Sequence, residues 1–323
     1  MSARTLVPLD ATLNLKLVFM ADVLGFSDMV RSARTLSTGR LTLDRFRLMV
    51  DDASTALDKH RPPGLHRPRT WNIRTYTDNF LLETRLQKGG RADLLNVLQA
   101  AAAFQYALVR HGFLSRGAIS IGYNYTKDKV IFGQALVEAH DLESTIAAVP
   151  RIILANSVRR LLAHHFSEDL RTNRKPPGIS PPILEDHDGQ WFINYLTETL
   201  ARDGNGETRI DGRTIAFHRE LLITNLGNNK LKQRVREKYI WAAGYHNWFL
   251  SKASEVGRSD LTVAVLDAVT PAAPKAVRLD SMRRMQKSFN RRIEPGDNPE
   301  KDAVRIAARP RPRNFESAAS GDS

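Results

Sequence analysis

Residues 17 to 28 read LVFMADVLGFSD, and the stretch Leu15 to Val23 (LKLVFMADV) inside and before it decides the fold class. A nearly continuous apolar run of this length is the signature of a strand buried on both faces, and this one ends in a lone carboxylate, Asp22. Gly25 follows, a residue type that lets a chain turn sharply into a helix. Leu41 to His60 places apolar residues at 43, 46, 49, 50, 53 and 57, a helical period, and stops in the loop RPPGLHRP. Thr70 to Tyr76 and Phe80 to Leu86 read as a hairpin whose tip holds Thr77, Asp78 and Asn79. Ala92 to His111 is apolar on two sides, so that helix must pack against a sheet. Leu114 to Gly122 and Val130 to Phe132 form two strands joined by a polar turn at Lys127, Asp128 and Lys129. Ala135 to Ala147 makes a further helix, and Pro150 opens the strand PRIILA. This order predicts an α+β fold with helices packed on a mostly antiparallel sheet, close to the ferredoxin-like pattern.

Further out, a Pro-rich segment (174 to 184) interrupts the pattern, and Asp188-Gly189 before WFINYL suggests one more hairpin on the same sheet. Lys230 to Lys252 carries Leu231, Val235, Ile240, Trp241, Ala242, Tyr245, Trp248 and Phe249 among many Lys and Arg residues, the pattern of a helix. The expected organisation is an arm (1–13), a main domain (14–227), a C-terminal helix packed on it (228–257) and a segment (258–323) that is largely disordered after about 290. Within that last segment only Leu261 to Val269 looks like a strand.

Composition narrows the chemistry. The 323 residues are 42% apolar and 26% charged, a globular balance. With no cysteine, thiolate zinc sites, iron-sulfur clusters, disulfides and a thiol nucleophile are all excluded. A net charge of +13 attracts polyanions, whether nucleic acid, membrane surface or nucleoside triphosphate, and cannot choose among them. Part of the excess lies in residues 275 to 313. No apolar span or signal segment is apparent, so a cytoplasmic protein without membrane association is expected.

Asp22 at a strand end and Asp78 at a hairpin tip come together if their strands are neighbours. Close carboxylates repel unless they share a proton or bind cations, and a hard cation takes one or two carboxylates plus phosphate oxygens. Two metals held by two aspartates suit phosphoryl or nucleotidyl transfer. Strand-end aspartates are also simple turn formers and helix caps, and spacing alone leaves both readings open.

The surrounding residues carry a resemblance. LVFMADVLGFSD (17–28) resembles the first metal motif of class III nucleotidyl cyclases, YTDN (76–79) their second, RGAISIG (116–122) their fourth strand, and FGQALVEAHDLES (132–144) the helix after their Phe/Trp-Gly. The run ending in LES followed by Pro150, Arg151 and Ile152 is similar to the bacterial pyrimidine cyclases of Pycsar antiphage systems. The resemblance spans roughly residues 14 to 160, with DG..F.NY at 188 to 195 and the helix running from Lys-Tyr-Ile-Trp to His-Asn-Trp supporting it further on, so the main domain is expected to be a cyclase homology domain. It implies Asp22, Asp78 and the main-chain carbonyl of Val23 as ligands of two Mg²⁺ or Mn²⁺ ions, and Leu24, Gly25, Phe26 and Ser27 as the triphosphate cradle. It further implies a head-to-tail homodimer, with a separate effector protein sensing the product. The nucleophile would be the substrate's own 3′-hydroxyl, so no protein nucleophile is needed.

Two departures stand out. Purine cyclases place an Asn and an Arg four and eight residues after the Gly of that pair, and here these positions hold Val137 and Asp141. Their base-reading Lys is replaced by Asn72, whose amide can donate and accept at the edge of uracil or cytosine. Arg74, Arg116 and Arg151 are the candidates for the missing transition-state cation. UTP is favoured over CTP as substrate. A catalytically silent nucleotide-binding module is the rival reading, favoured by Val137 and Asp141, and a nucleic-acid binder rests on net charge alone. His164, His165 and His187 lack metal-ligand spacing. Trp241, Tyr245 and Trp248 read as core or dimer contact, and the basic face Lys230, Lys232, Arg234, Arg236 and Lys238 as solvated, with a triphosphate contact as the alternative.

Overall fold

A computed structural model describes residues 13–59, 71–86, 90–127, 130–171, 183–202, 204–206, 208–252, 263 and 274–277. The apolar run around Phe19 forms the strand β1 (Asn14–Leu24), which lies in the middle of the sheet. A short helix α1 (Phe26–Ser32) and a long one α2 (Leu36–Lys59) lead to the hairpin β2 (Trp71–Tyr76) and β3 (Asn79–Arg85). Helix α3 (Arg91–Arg110) precedes β4 (Leu114–Lys127), β5 (Val130–Gly133) and α4 (Gln134–Asp141). Next come β6 (Ile152–Leu154), α5 (Asn156–Arg171), the hairpin β7 (Ile183–Glu185) and β8 (Trp191–Ile193), then β9 (Leu200–Arg202) and β10 (Thr208–Ile210). Helices α6 (Gly212–Leu226) and α7 (Gln233–Lys252) follow, and β11 (Lys275–Ala276) closes the order.

The main sheet runs β11-β7-β8-β6-β4-β1-β3-β2, with β5 paired to β4. Every pairing is antiparallel except β4 with β6. The chain is therefore an α+β protein with a mostly antiparallel mixed sheet. Alternation along β1 sends Phe19 to one face, where it meets Phe104 of α3 edge to face at 5.3 Å, with Phe80 4.8 Å from the same ring. On that side α2 buries Met49, Ala53 and Leu57, one row at i, i+4, i+8. Thr35 starts α2, its Oγ1 accepting from the Thr38 N–H at 3.2 Å. On the opposite face α4 closes over β4, where Ser120 Oγ donates to the Ala135 carbonyl at 2.5 Å.

Helix α3 is, among the described residues, the one helix long and apolar enough to cross a membrane, yet 78% of that stretch is buried inside the fold. Its wide apolar surface is spent on the sheet, α2 and α6, as the residue pattern required.

The sequence reading differs from the structure at several points. β4 runs on to Lys127 instead of stopping at Gly122, because Asn124 to Lys127 pair with β5. The helix expected to reach Ala147 ends at Asp141 and continues as a π turn, Leu142–Ile146. Helices α5 and α6 were not expected. α6 begins where Asp211 accepts from the Arg213 N–H at 3.0 Å, so an Asp-Gly pair that suggests a turn is here a helix start. Of the strand expected over Leu261 to Val269 only Val263 is described, buried and bonded through both backbone groups to Asn247 of α7. The arm before Leu13 and the tail beyond residue 277 lie outside the described residues.

One glycine sets how closely the two central strands approach. A Cβ on Gly117 would collide with the Met20 carbonyl and stand 3.0 Å from the Ala21 Cα. Gly117→Ala is expected to cost about 1–3 kcal/mol, the range for overpacking, read by urea denaturation. A midpoint unchanged from wild type would show that β1 and β4 have room there.

Candidate active site

Register brings the two aspartates together. Asp22 lies opposite Asn79 on one flank and Arg116 on the other, so β1 delivers its carboxylate between the tip of the β2–β3 hairpin and β4. The Val23 N–H donates to the Asp78 carbonyl at 3.0 Å, tying that tip to the end of β1. Thr77 takes a positive φ of 53°, uncommon for a residue with a branched side chain, and its Oγ1 donates to Asp78 Oδ1 at 2.8 Å. The tight tip thus aims the carboxylate. Beyond Leu24 the chain turns at Gly25, whose φ of 88° a side chain would strain.

These residues line one cleft of about 350 Å³. Its walls are Asp22, Val23, Leu24, Gly25, Phe26, Ser27 and Asp28 on one side, Asp78 at the tip, Leu114 and Arg116 from β4, and Arg234, Val235, Lys238 and Tyr239 from α7. The residues expected to hold metal and the residues expected to cradle a triphosphate therefore share a cavity.

Arg116 is the hub of its electrostatics. Its Nε donates to Asp22 Oδ2 at 3.1 Å, and its Nη2 lies 2.9 Å from Glu143 Oε1. The second contact is off the N–H direction, leaving Glu143 Oε1 buried without a hydrogen bond and held by charge alone. Burial pushes the Asp22 carboxyl above its ordinary range, Arg116 opposes that, and the charge of Asp78 adds to it. Glu143 is pushed up for the same reason, burial first, with Asp22 and Asp78 adding to it against Arg116. Arg116 thus stands between two acidic side chains, and the charge of Lys238 acts on both as well.

That donor set fits a hard divalent ion. Among the described residues no group of three or more His, Asp or Glu is arranged as a closed metal cage. A magnesium site built on two carboxylates, completed by water and substrate phosphate, needs none.

Other expected site residues fall elsewhere. Arg74 stands opposite Leu81 on β2, two strands from β1 and so roughly 10 Å away, and it is not part of the described cleft wall. Residue 72 pairs with Glu83, while the side chain of Asn72 lies outside the described residues. Arg151 is corrected as a candidate cation: it is buried and ion-paired to Asp186 and Asp188, and it is not among the residues that line the cleft. Val137 and Asp141 are exposed on α4. Trp241 and Tyr245 are core, packed on Phe192 at 5.6 and 5.7 Å.

Sequence reasoning quoted Glu143 within the LES run but gave it no role, because its partner Arg116 comes from β4. It undervalued Arg234 and Lys238, whose i, i+4 spacing among Val235 and Tyr239 was the available clue. No protein-family model matches the chain, and no curated protein matches it.

Proposed function

We propose that the protein is a class III-like pyrimidine nucleotide cyclase, converting UTP, with CTP as the other candidate, to the 3′,5′-cyclic nucleotide and pyrophosphate as a signal in bacterial antiphage defence. The observation that carries this reading is the meeting of Asp22 and Asp78 in the cleft that also holds the Gly25 turn and Arg116. The strand order β4-β1-β3-β2 supports it, being that of a ferredoxin-like cyclase homology domain.

Bound Mg²⁺ or Mn²⁺, two ions per site, would activate the ribose 3′-hydroxyl and neutralise the leaving pyrophosphate. Asp22, Asp78 and the Val23 carbonyl would hold them. Leu24 to Ser27 shape the wall for the phosphates. The 3′-oxygen bonds to the α-phosphorus, the bond from that phosphorus to the β-phosphate oxygen breaks, and the hydroxyl proton passes to water. Arg116, beside Asp22, is the cation placed to meet charge developing on the phosphates, a task for which Val137 and Asp141 offer nothing. A homodimer and a separate product-binding effector belong to the same proposal, as does a cytoplasmic location. The rival reading, a silent nucleotide-binding module, draws on those two exposed α4 residues.

The deciding experiment incubates the protein with each of the four nucleoside triphosphates and Mn²⁺ and identifies cyclic product by mass. Pyrimidine selectivity should come from hydrogen bonding, because a site matched to one base leaves groups orphaned with another, at about 1–3 kcal/mol each. With two such groups, UTP or CTP should turn over about a hundredfold faster than ATP or GTP. Equal or faster turnover of ATP would end the pyrimidine assignment and spare the cyclase. No cyclic product from any nucleotide would favour the silent module.

A further inference from the structure

We infer that α7 supplies a phosphate grip: Arg234 and Lys238 bind the polyphosphate tail of a nucleotide across the cleft from Asp22 and Asp78. The inference rests on the nucleotide reading of the cleft and adds which residues take the tail.

Arg234 and Lys238 are one helical turn apart, and with Val235 and Tyr239 they form the face of α7 that lines the cleft. Neither makes an ion pair or hydrogen bond with another described residue. Lys238 is half-buried, and Arg116 and Arg234 stand near it. Like charges at i, i+4 on a helix are unfavourable, and although Asp22 and Glu143 attract Lys238 across the cleft, neither stands within ion-pair distance of it, so no fixed internal contact accounts for the pair. An anion in the cleft would. Burial, aided by Arg116 and Arg234, draws the Lys238 ammonium below its ordinary range against the pull of Asp22 and Glu143.

Placement also points to a compact phosphate chain rather than a nucleic-acid backbone. The cations face into a cavity whose volume suits a small molecule, and acidic groups stand on the opposite wall. Their position is fixed from behind. Trp241, three residues on, donates its indole N–H to Asp186 at 3.0 Å, and the Tyr245 hydroxyl donates to Asn194 Oδ1 and accepts from the Leu196 N–H. α7 therefore cannot slide or rotate without breaking buried hydrogen bonds.

The test is calorimetric titration of the full chain with inorganic tripolyphosphate in Mg²⁺. Arg234→Gln and Lys238→Gln should each weaken binding about tenfold, the worth of a charge-assisted contact, and the double variant about a hundredfold. Lys238→Arg should retain most of the affinity. Lys232→Gln, exposed and off the cleft wall, should bind as wild type. The grip is overturned if wild type does not bind tripolyphosphate, if both single variants bind it unchanged, or if Lys232→Gln loses as much as they do. Should the expected losses appear while no nucleotide is cyclised, the grip stands and the cyclase reading falls; cyclisation with unchanged tripolyphosphate affinity gives the reverse.

Discussion

Asp22→Ala and Asp78→Ala should each abolish cyclic-nucleotide formation, a fall of at least about a thousandfold, while the protein stays folded. Each removes a carboxylate proposed to hold metal from a strand end or hairpin tip, where no core cavity opens. Stability gives an independent readout. Because burial raises the folded-state pKa of Asp22, the folded protein favours its protonated form, and stability is lost as pH climbs from the ordinary value of 3.8 through the raised one. Asp22→Asn carries no charge to desolvate. It should melt as high as wild type or a few degrees higher at neutral pH, where about 2–4 °C corresponds to ~1 kcal/mol, with the advantage shrinking as pH falls toward 3.8. Mn²⁺ should raise the melting temperature of wild type and leave both alanine variants unmoved. Near-wild-type turnover by either alanine variant would remove the two-metal assignment, and an equal Mn²⁺ shift in all three proteins would place the ion elsewhere.

Arg151→Ala should be the most destabilising single change, by about 3–5 kcal/mol, the cost of leaving a buried partner charge unpaired. Asp186 has a fully buried side chain and would keep only the Trp241 indole and the His187 backbone N–H and ring as partners. At this chain size the melting temperature should drop by roughly 10 °C. Asp188 adds a pH signature. Burial raises its pKa, but the Arg151 hydrogen bond, the Gln190 N–H and the charges of Arg151 and His187 outweigh that and hold the carboxyl below 3.8. Its stabilising contribution is therefore complete above 3.8 and is lost as pH falls through the lowered value. Arg151→Ala should lack this part of the acid transition. Melting within about 2 °C of wild type would show that the triad is dispensable.

The range of the forces involved decides which features the sequence displays and which it conceals. β1, the hairpin and α3 were readable because burial on both faces, a polar tip and a wide apolar helix each leave a mark within a dozen residues. Asp22 and Asp78 were readable because turns place them. α5 was passed over although Val158, Leu161 and Leu162 are buried at helical spacing, since its polar face (Arg159, Arg160, His164) breaks the run. The Asp22–Arg116–Glu143 chain joins residues up to 121 positions apart (143 − 22) and exists only once the sheet has assembled. Arg151 was misplaced for the same reason: a strand-end arginine looks alike whether it faces a substrate or two aspartates.

The π turn at Leu142–Ile146 has an evolutionary corollary. Such a turn is an α-helix carrying one surplus residue, and Glu143 sits within it. Deleting one residue there would let the ordinary ladder close, rotating the helix on one side of the deletion by about 100° relative to the other side and carrying the glutamate away from Arg116. The guanidinium would then answer to Asp22 alone. Insertions and deletions in this short segment, rather than substitutions at the conspicuous aspartates, are the route by which lineages could retune the charge of the cleft.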